Sequence, residues 1–461
     1  MAYLVTIGIE IHVELKTKSK MFSPGRVDFD ADPNLNVSEI DLAFPGTLPT
    51  INKEAVKMAL KVCYGLDMEV DPLLKFDRKN YFYSDLPKGF QITQQFHPIG
   101  KKGRLVLSDQ STVGITRLHM EEDTAKQLHL GDQSLIDFNR AGVPLIEIVS
   151  EPEIHSGQQA ADYVNTLRQL LVYLDVTDGK MEEGSMRCDV NISISKEAGV
   201  FGTKVEIKNL NSIANVQKAI DFEAKRQEEV LEAGGTIVQE TRRFDEPSQT
   251  TVTMRKKEGA VDYRYFPEPN IVPIRLSQDF LDSVKETMVE LPQERLERYL
   301  KNIAEDDARI LVTNMEAGDF FDQVMNHSKN YQEVANFVIT NVTPLGFENF
   351  KAEEIAKLVD KLKAGDLSSK QGKQVLKSLA NSDQTVDQII KDQGLVQVSD
   401  DGMILEVIEK ILEKNPQVIV DYKNGKDNSI KFVMGQVMKE TRGQANPAKA
   451  MELASQVLKS K

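Results

Sequence analysis

At the start of the chain Val5, Ile7, Ile9, Ile11 and Val13 alternate with Thr6, Gly8, Glu10, His12 and Glu14. A period of two predicts a strand with one apolar face buried and one polar face turned away from the core. The pattern recurs where Met186, Cys188, Val190, Ile192 and Ile194 alternate with Arg187, Asp189, Asn191, Ser193 and Ser195. A shorter version sets Val205 and Ile207 between Lys204, Glu206 and Lys208, and segments 115–121 and 143–151 also read as strands. Helical spacing is interspersed. Val56, Ala59, Leu60 and Cys63 follow Asn52, a suitable N-cap, and Gly65 ends the run. Tyr163, Leu167, Leu170, Leu171 and Leu174 form a second apolar stripe, and a third helix is expected from Ser212 to Gly234-Gly235. Alternating strands with scattered helices predict an α+β fold whose sheet is mainly antiparallel.

The texture changes near Leu291-Pro292. Beyond it alternation gives way to helical stripes, such as Ile355, Leu358, Val359 and Leu362. Gly394 to Asp401 reads as a junction, after which Ile430, Val433, Met434, Val437 and Met438 mark another helix, followed by Gly443 and Pro447. A chain of 461 residues suggests about three domains. The expected division is 1–291 as a large α+β domain, 292–393 as a helical domain and 394–461 as a small helical tail.

Composition narrows the class. Cys63 and Cys188 are the only cysteines and lack metal-ligand spacing, so neither a disulfide framework nor a zinc site is implied. Glu10 interrupts the first apolar stretch, which does not read as a signal peptide, and no apolar run nears the roughly 18 residues of a membrane helix. A cytoplasmic protein without a membrane partner is expected. The net charge of −14 argues against general DNA binding. From Lys423 to Lys461, however, eight Lys or Arg stand against three Asp or Glu, a local basic end.

Acids supply the candidate chemistry. Glu10, His12 and Glu14 share one strand face at about 6.6 Å intervals, from a rise of roughly 3.3 Å per residue. Neighbours at that spacing can share a cation, and carboxylates suit Mg²⁺, whereas histidine better suits Zn²⁺ or Mn²⁺. Taken alone, the spacing is also that of an ordinary solvated sheet face, the commoner case. Glu147 within Leu145-Ile146-Glu147-Ile148-Val149 needs a cation, a metal or a polar cavity. Asp77-Arg-Lys-Asn-Tyr-Phe-Tyr83 sets charge beside aromatic rings, a combination that can hold phosphates and stack a base, or merely edge a core. No P-loop, no G-x-G-x-x-G and no kinase catalytic-loop motif occurs.

Taken in order, eight segments resemble one family. They are Gly8-Ile-Glu-Ile-His-Val-Glu-Leu15, Phe76-Asp-Arg-Lys-Asn-Tyr-Phe-Tyr83, Asp85-Leu-Pro-Lys-Gly89, Arg117-Leu-His-Met-Glu-Glu-Asp123, Asn139-Arg-Ala-Gly-Val-Pro-Leu-Ile-Glu-Ile-Val-Ser-Glu-Pro152, Met181-Glu-Glu-Gly-Ser-Met-Arg-Cys-Asp189, Lys204-Val-Glu-Ile-Lys-Asn-Leu-Asn-Ser212 and Asp262-Tyr-Arg-Tyr-Phe-Pro-Glu-Pro269. The chain resembles, over essentially its full length, the B subunits of the bacterial aspartyl/glutamyl-tRNA amidotransferases. The resemblance implies a cradle-like first domain, a helical domain and a tail similar to the YqeY family, the last a tRNA-binding part. It implies ATP- and Mg²⁺-dependent phosphorylation of the side-chain carboxylate of misacylated Glu-tRNA(Gln) or Asp-tRNA(Asn). Ammonia from a glutaminase A subunit then displaces the phosphate, in a heterotrimer completed by a small C subunit.

By position, the resemblance makes Glu10, His12, Glu122 and Glu147 metal ligands. It makes Lys79 and Tyr81 contacts to the nucleotide or the aminoacyl end, and Lys79, Arg187 and Asp189 catalytic candidates. Strict alternation instead groups Glu121 with Arg117 and His119, so Glu122 requires the strand to end or bulge at Met120. Two departures from the family pattern stand beside these motifs: Ser84 replaces the usual Pro, and Thr124-Ala125 the usual Ala-Gly. The rival readings are a tRNA-binding scaffold subunit without the phosphorylation step and a free-standing carboxylate–amine ligase.

Overall fold

The structure is a computed structural model and describes residues 3–28, 30–256, 262–395, 401–423, 428–441, 445 and 447–460. Its fold is α+β. Internal contacts divide the chain into Met1–Pro292 and Gln293–Lys461. The first unit is built on a nine-stranded sheet. Its spatial order is Thr250–Lys256, Glu240–Asp245, Val205–Leu210, Met186–Ser195, Leu4–Glu14, Pro144–Ser150, Thr112–Glu122, Gly100–Val106 and Glu69–Val70. Every pairing is antiparallel except that of Val205–Leu210 with Glu240–Asp245.

The first strand lies at the centre, and its alternation decides which face is the core. Ile7, Ile9, Ile11 and Val13 are buried against Ile148, Val190 and Met186 of the flanking strands. Helices Lys53–Gly65, Gly157–Tyr173 and Ile213–Glu232 cover this apolar face through Leu60, Leu167, Leu171, Val216 and Ile220. Each helix begins where a side chain satisfies its free N–H groups. Asn52 accepts from Glu54 and Ala55, Ser156 from Gln159 and Ser212 from Asn215.

The opposite face of the sheet carries Glu10, His12 and Glu147. A three-stranded sheet of Phe266–Pro267, Asp77–Asn80 and Phe90–Thr93 is pinned over one end of that face. Gln94 accepts from the Met120 backbone N–H, and Gln91 donates to the Glu122 carbonyl. The small sheet thereby brings Lys79 and Tyr81 toward the acids.

The second unit is helical from Pro292–Tyr299 onward. Helix Val386–Gln393 is capped by Gly394 at φ 62°, and residues 396–400 of the expected junction lie outside the described residues. Helices Asp401–Lys414, Pro416–Lys423, Asn428–Glu440 and Pro447–Ser460 share their own core of Ile404, Ile408, Val433, Val437, Ala454 and Leu458. Lys426, Arg442, Gly443 and Lys461, part of the expected basic end, lie outside the described residues. No described helix is long and apolar enough to cross a membrane.

Ile11 is fully buried between Ile148 and Cys188 and separates Glu10 from His12 on the strand. Ile11→Ala is expected to cost about 2–5 kcal/mol, read as a lowered denaturation midpoint of the first unit with unchanged secondary-structure content.

Candidate active site: a charged row across four strands

Antiparallel register lines up side chains from four successive strands. His12 stands opposite Arg187 on one side and Glu147 on the other, and Glu147 in turn stands opposite His119. Directly opposed residues on one face are within side-chain reach. Glu147 Oε2 is 3.1 Å from His119 Nε2 and 3.4 Å from His12 Nε2. Glu121 closes the group, 3.5 Å from His119 Nε2 and 3.9 Å from His12 Nε2.

These neighbours hold one another's charge. Burial disfavours ionisation of Glu147, but His119 and His12 outweigh it and hold the carboxyl well below the usual carboxylate range. Burial likewise opposes the Glu121 charge, which His119 restores. The two imidazoles move the other way. Burial opposes their charge, yet Glu147 and Glu121 raise His12 and push His119 up to about 9. Two carboxylates and two imidazoles thus favour one another's charged forms in a largely buried group. Among the described residues, the buried His119 Nδ1 atom has no hydrogen-bond partner.

The strand carrying His119 does not end or bulge at Met120. Its pairing runs evenly from Leu118↔Ile148 to Glu122↔Pro144, and the irregularity falls at Val149/Ser150 instead. Alternation is therefore kept, and Glu121 rather than Glu122 joins His12 and Glu147. Glu122, expected among the metal ligands, points the other way. It is buried, 2.5 Å from Lys88 Nζ, and accepts from the Ile92 backbone N–H. It anchors the small sheet.

The remaining expected residues fall into two groups around this row. Glu10 and Asp189 oppose each other one pair further along. Burial, then Glu147 and Asp189, raise the Glu10 carboxyl, and Asn191 donates to it at 2.9 Å. Lys208 donates to Asp189 at 2.5 Å. A register shift opposite Cys188 to Val190, with Asn209 at φ 62°, aims Lys208 there. Arg187 binds Asp123 and lies 3.6 Å from Glu14. Burial and Asp123 push Glu14 up to about 8, while Arg187 and Arg140 overcome burial to keep Asp123 low. A cavity of about 510 Å³ opens here, lined by His12, Arg187, Asp189, Lys208 and the turns at Gly184 and Asn209. On the other side, the Lys79 ammonium sits 4.9 Å from the Tyr263 ring and 5.7 Å from that of Tyr81. Burial opposes its charge, and Glu121 restores it.

Sequence reasoning singled out neither Lys208 nor Lys88 as a site residue, and took His119 only as a face-mate. The signal for Lys208 was its place on the polar side with Glu206. Lys88 lies in a turn without periodicity. The two departures from the family pattern turn out to adjoin one contact: the Thr124 hydroxyl and the Ala125 N–H both bond Asp85, the residue after Ser84.

His12, Glu121 and Glu147 each offer a donor atom, all within 4.8 Å of one another. One imidazole and two carboxylates fit a divalent cation. Mg²⁺ would rely on the two carboxylates, with His12 the less usual ligand. In Mn²⁺ titrations of the cation-free protein, Glu121→Gln is expected to weaken binding by about 10- to 100-fold, the loss seen even for supporting groups at metal sites. Glu122→Ala is expected to leave Mn²⁺ affinity within about twofold but to cost about 3–5 kcal/mol of stability, because Lys88 loses its buried partner. A cation bound through His12 must displace a proton that Glu147 and Glu121 help retain. Mn²⁺ affinity should therefore climb as pH rises through and above the ordinary histidine range, and a flat profile would show that the histidine is not engaged.

The chain was compared with known proteins. A family model described as the GatB/GatE catalytic domain matches residues 5–282, and one described as the GatB domain matches residues 319–458. Proteins named as the B subunit of aspartyl/glutamyl-tRNA(Asn/Gln) amidotransferase are similar from end to end. That of Staphylococcus epidermidis is 46% identical, with 99% of each chain covered. That of Oceanobacillus iheyensis is 44% identical, with 100% of each covered, and that of Staphylococcus aureus 46%, with 100% of this chain and 99% of the relative covered. Family models covering most of the chain and relatives similar along its whole length converge on one assignment: the chain belongs to the family of aspartyl/glutamyl-tRNA(Asn/Gln) amidotransferase B subunits.

Proposed function

We propose that the charged row is where the side-chain carboxylate of a misacylated tRNA, Glu-tRNA(Gln) or Asp-tRNA(Asn), is activated with ATP and Mg²⁺ and then amidated. The observation that carries this reading is the pairing of Glu121 and Glu147 with His12 at the junction of two differently equipped spaces. One space is the cavity bordered by Lys208 and Arg187, and the other is the aromatic surround of Lys79.

The chemistry asks for this equipment. A carboxylate resists attack by ammonia until one oxygen becomes part of a good leaving group. The γ-phosphoryl group moves from ATP to that oxygen, and ADP leaves. Ammonia then forms the C–N bond as phosphate departs and a proton is released. A divalent cation at Glu121 and Glu147 would neutralise charge on the phosphoryl oxygens. Lys208 and Arg187 border the cavity as fixed positive charges for a polyphosphate. Lys79 faces the acids from the other side and offers a cation to the substrate carboxylate. The row contains no cysteine or serine nucleophile. Cys188 is buried on the apolar face, which fits ammonia supplied by a glutaminase partner, with a small third subunit completing the complex. The tail, with its basic end, suits the tRNA backbone.

The test is ADP formation by the reconstituted complex, dependent on Mg²⁺ and on Glu-tRNA(Gln). Glu147→Gln is expected to lower it by about 100-fold or more, with glutamine hydrolysis by the partner subunit retained. Unchanged ADP formation in that variant would sink the reading.

A further inference from the structure

One hydroxyl reaches the charged row from the small sheet. Thr93 ends the strand Phe90–Thr93 and is buried. Both of its neighbours bond the strand Thr112–Glu122. The Ile92 N–H donates to the Glu122 carboxylate, and the Gln94 side-chain oxygen accepts from the Met120 N–H. Held between these two bonds, the Thr93 hydroxyl donates to Glu121 Oε2 at 3.3 Å.

A buried hydroxyl needs an acceptor, and a backbone carbonyl would satisfy it equally well. Here the acceptor is instead a carboxylate of the candidate cation site. Thr93 engages Oε2, His119 Nε2 faces the same oxygen at 3.5 Å, and Oε1 faces His12 Nε2 at 3.9 Å. One oxygen of Glu121 is thus tied back, and the other is turned toward a second donor of the site. Hydrogen bonds made behind a metal ligand fix its orientation and strengthen metal binding. The hydroxyl also belongs to the strand pair that carries Lys79, in which Lys79 stands opposite Gln91 and Asp77 opposite Thr93. The same bond therefore links that pair to the acids it faces.

We propose that Thr93 is a positioning residue of the candidate cation site, its hydroxyl orienting the Glu121 carboxylate for a divalent cation. This rests on the function proposed above only through its cation site.

The experiment is Mn²⁺ titration of the cation-free full-length chain, with free Mn²⁺ measured by electron paramagnetic resonance. Thr93→Val keeps the shape of the side chain and removes the hydroxyl, and is expected to weaken binding by about tenfold. Thr93→Ser keeps a hydroxyl and is expected to bind within about twofold of the wild type. Because Thr93 acts through Glu121, adding Thr93→Val to Glu121→Gln is expected to cause no further loss, a non-additivity that separate effects would not show. A Thr93 that serves stability alone would lower the thermal midpoint of Thr93→Val and leave its Mn²⁺ affinity at the wild-type value. That result, fully additive losses in the double variant, or a Thr93→Ser as weak as Thr93→Val would each overturn the proposal. Wild-type affinity in Thr93→Val beside weakened binding in Glu121→Gln rejects the role of Thr93 and leaves the cation site standing. Wild-type affinity in Glu121→Gln itself rejects both.

Discussion

The candidate site depends on keeping two carboxylates charged in a place that burial alone would neutralise. Glu147 and Glu121 are largely withdrawn from water, and each would take up a proton without nearby positive charge. His12 and His119 supply it at 3.1 to 3.9 Å. The same contacts raise both histidines, so the four groups form one electrostatic unit. This cluster needs the central sheet, because its members come from three different strands. It needs the apolar face as well, because Ile11, Ile146, Ile148 and Met120 hold those strands in the register that brings the charges together.

Around that unit the fold separates two kinds of chemistry. On the side of the Met186–Ser195 strand lie Arg187, Asp189 and Lys208, fixed charges bordering a cavity. On the side of the small sheet lie Lys79 and the aromatic rings, with a cation held among π faces rather than by a carboxylate. Glu122 belongs to neither side. Its bond to Lys88 and to the Ile92 N–H locks the small sheet to the large one, which makes it a support for the position of Lys79.

Much of this is legible in the sequence. Period-two alternation located the central strand, the Met186–Ser195 strand and the face that each turns to the core, because burial on one side leaves that mark on the sequence. Alternation also grouped Glu121 with His119, and the even pairing through Met120 upholds that grouping over the family-based expectation of Glu122. What alternation could not show was depth. Glu10, His12 and Glu14 look alike along the strand, yet they meet a like charge, a carboxylate–histidine cluster and an Asp123–Arg187 pair. Those differences come from strands more than a hundred residues away. Lys208 was not singled out as a site residue because a local register shift aims it at Asp189.

The central claim is that a divalent cation served by this chain sits between Glu121 and Glu147, beside His12. Anomalous diffraction from crystals soaked in Mn²⁺ measures that directly. The account requires a peak within bonding distance of Glu121 and Glu147, with the Glu122 carboxylate still on Lys88. A peak on Glu122, or full occupancy elsewhere in the first unit with none at this cluster, would contradict it.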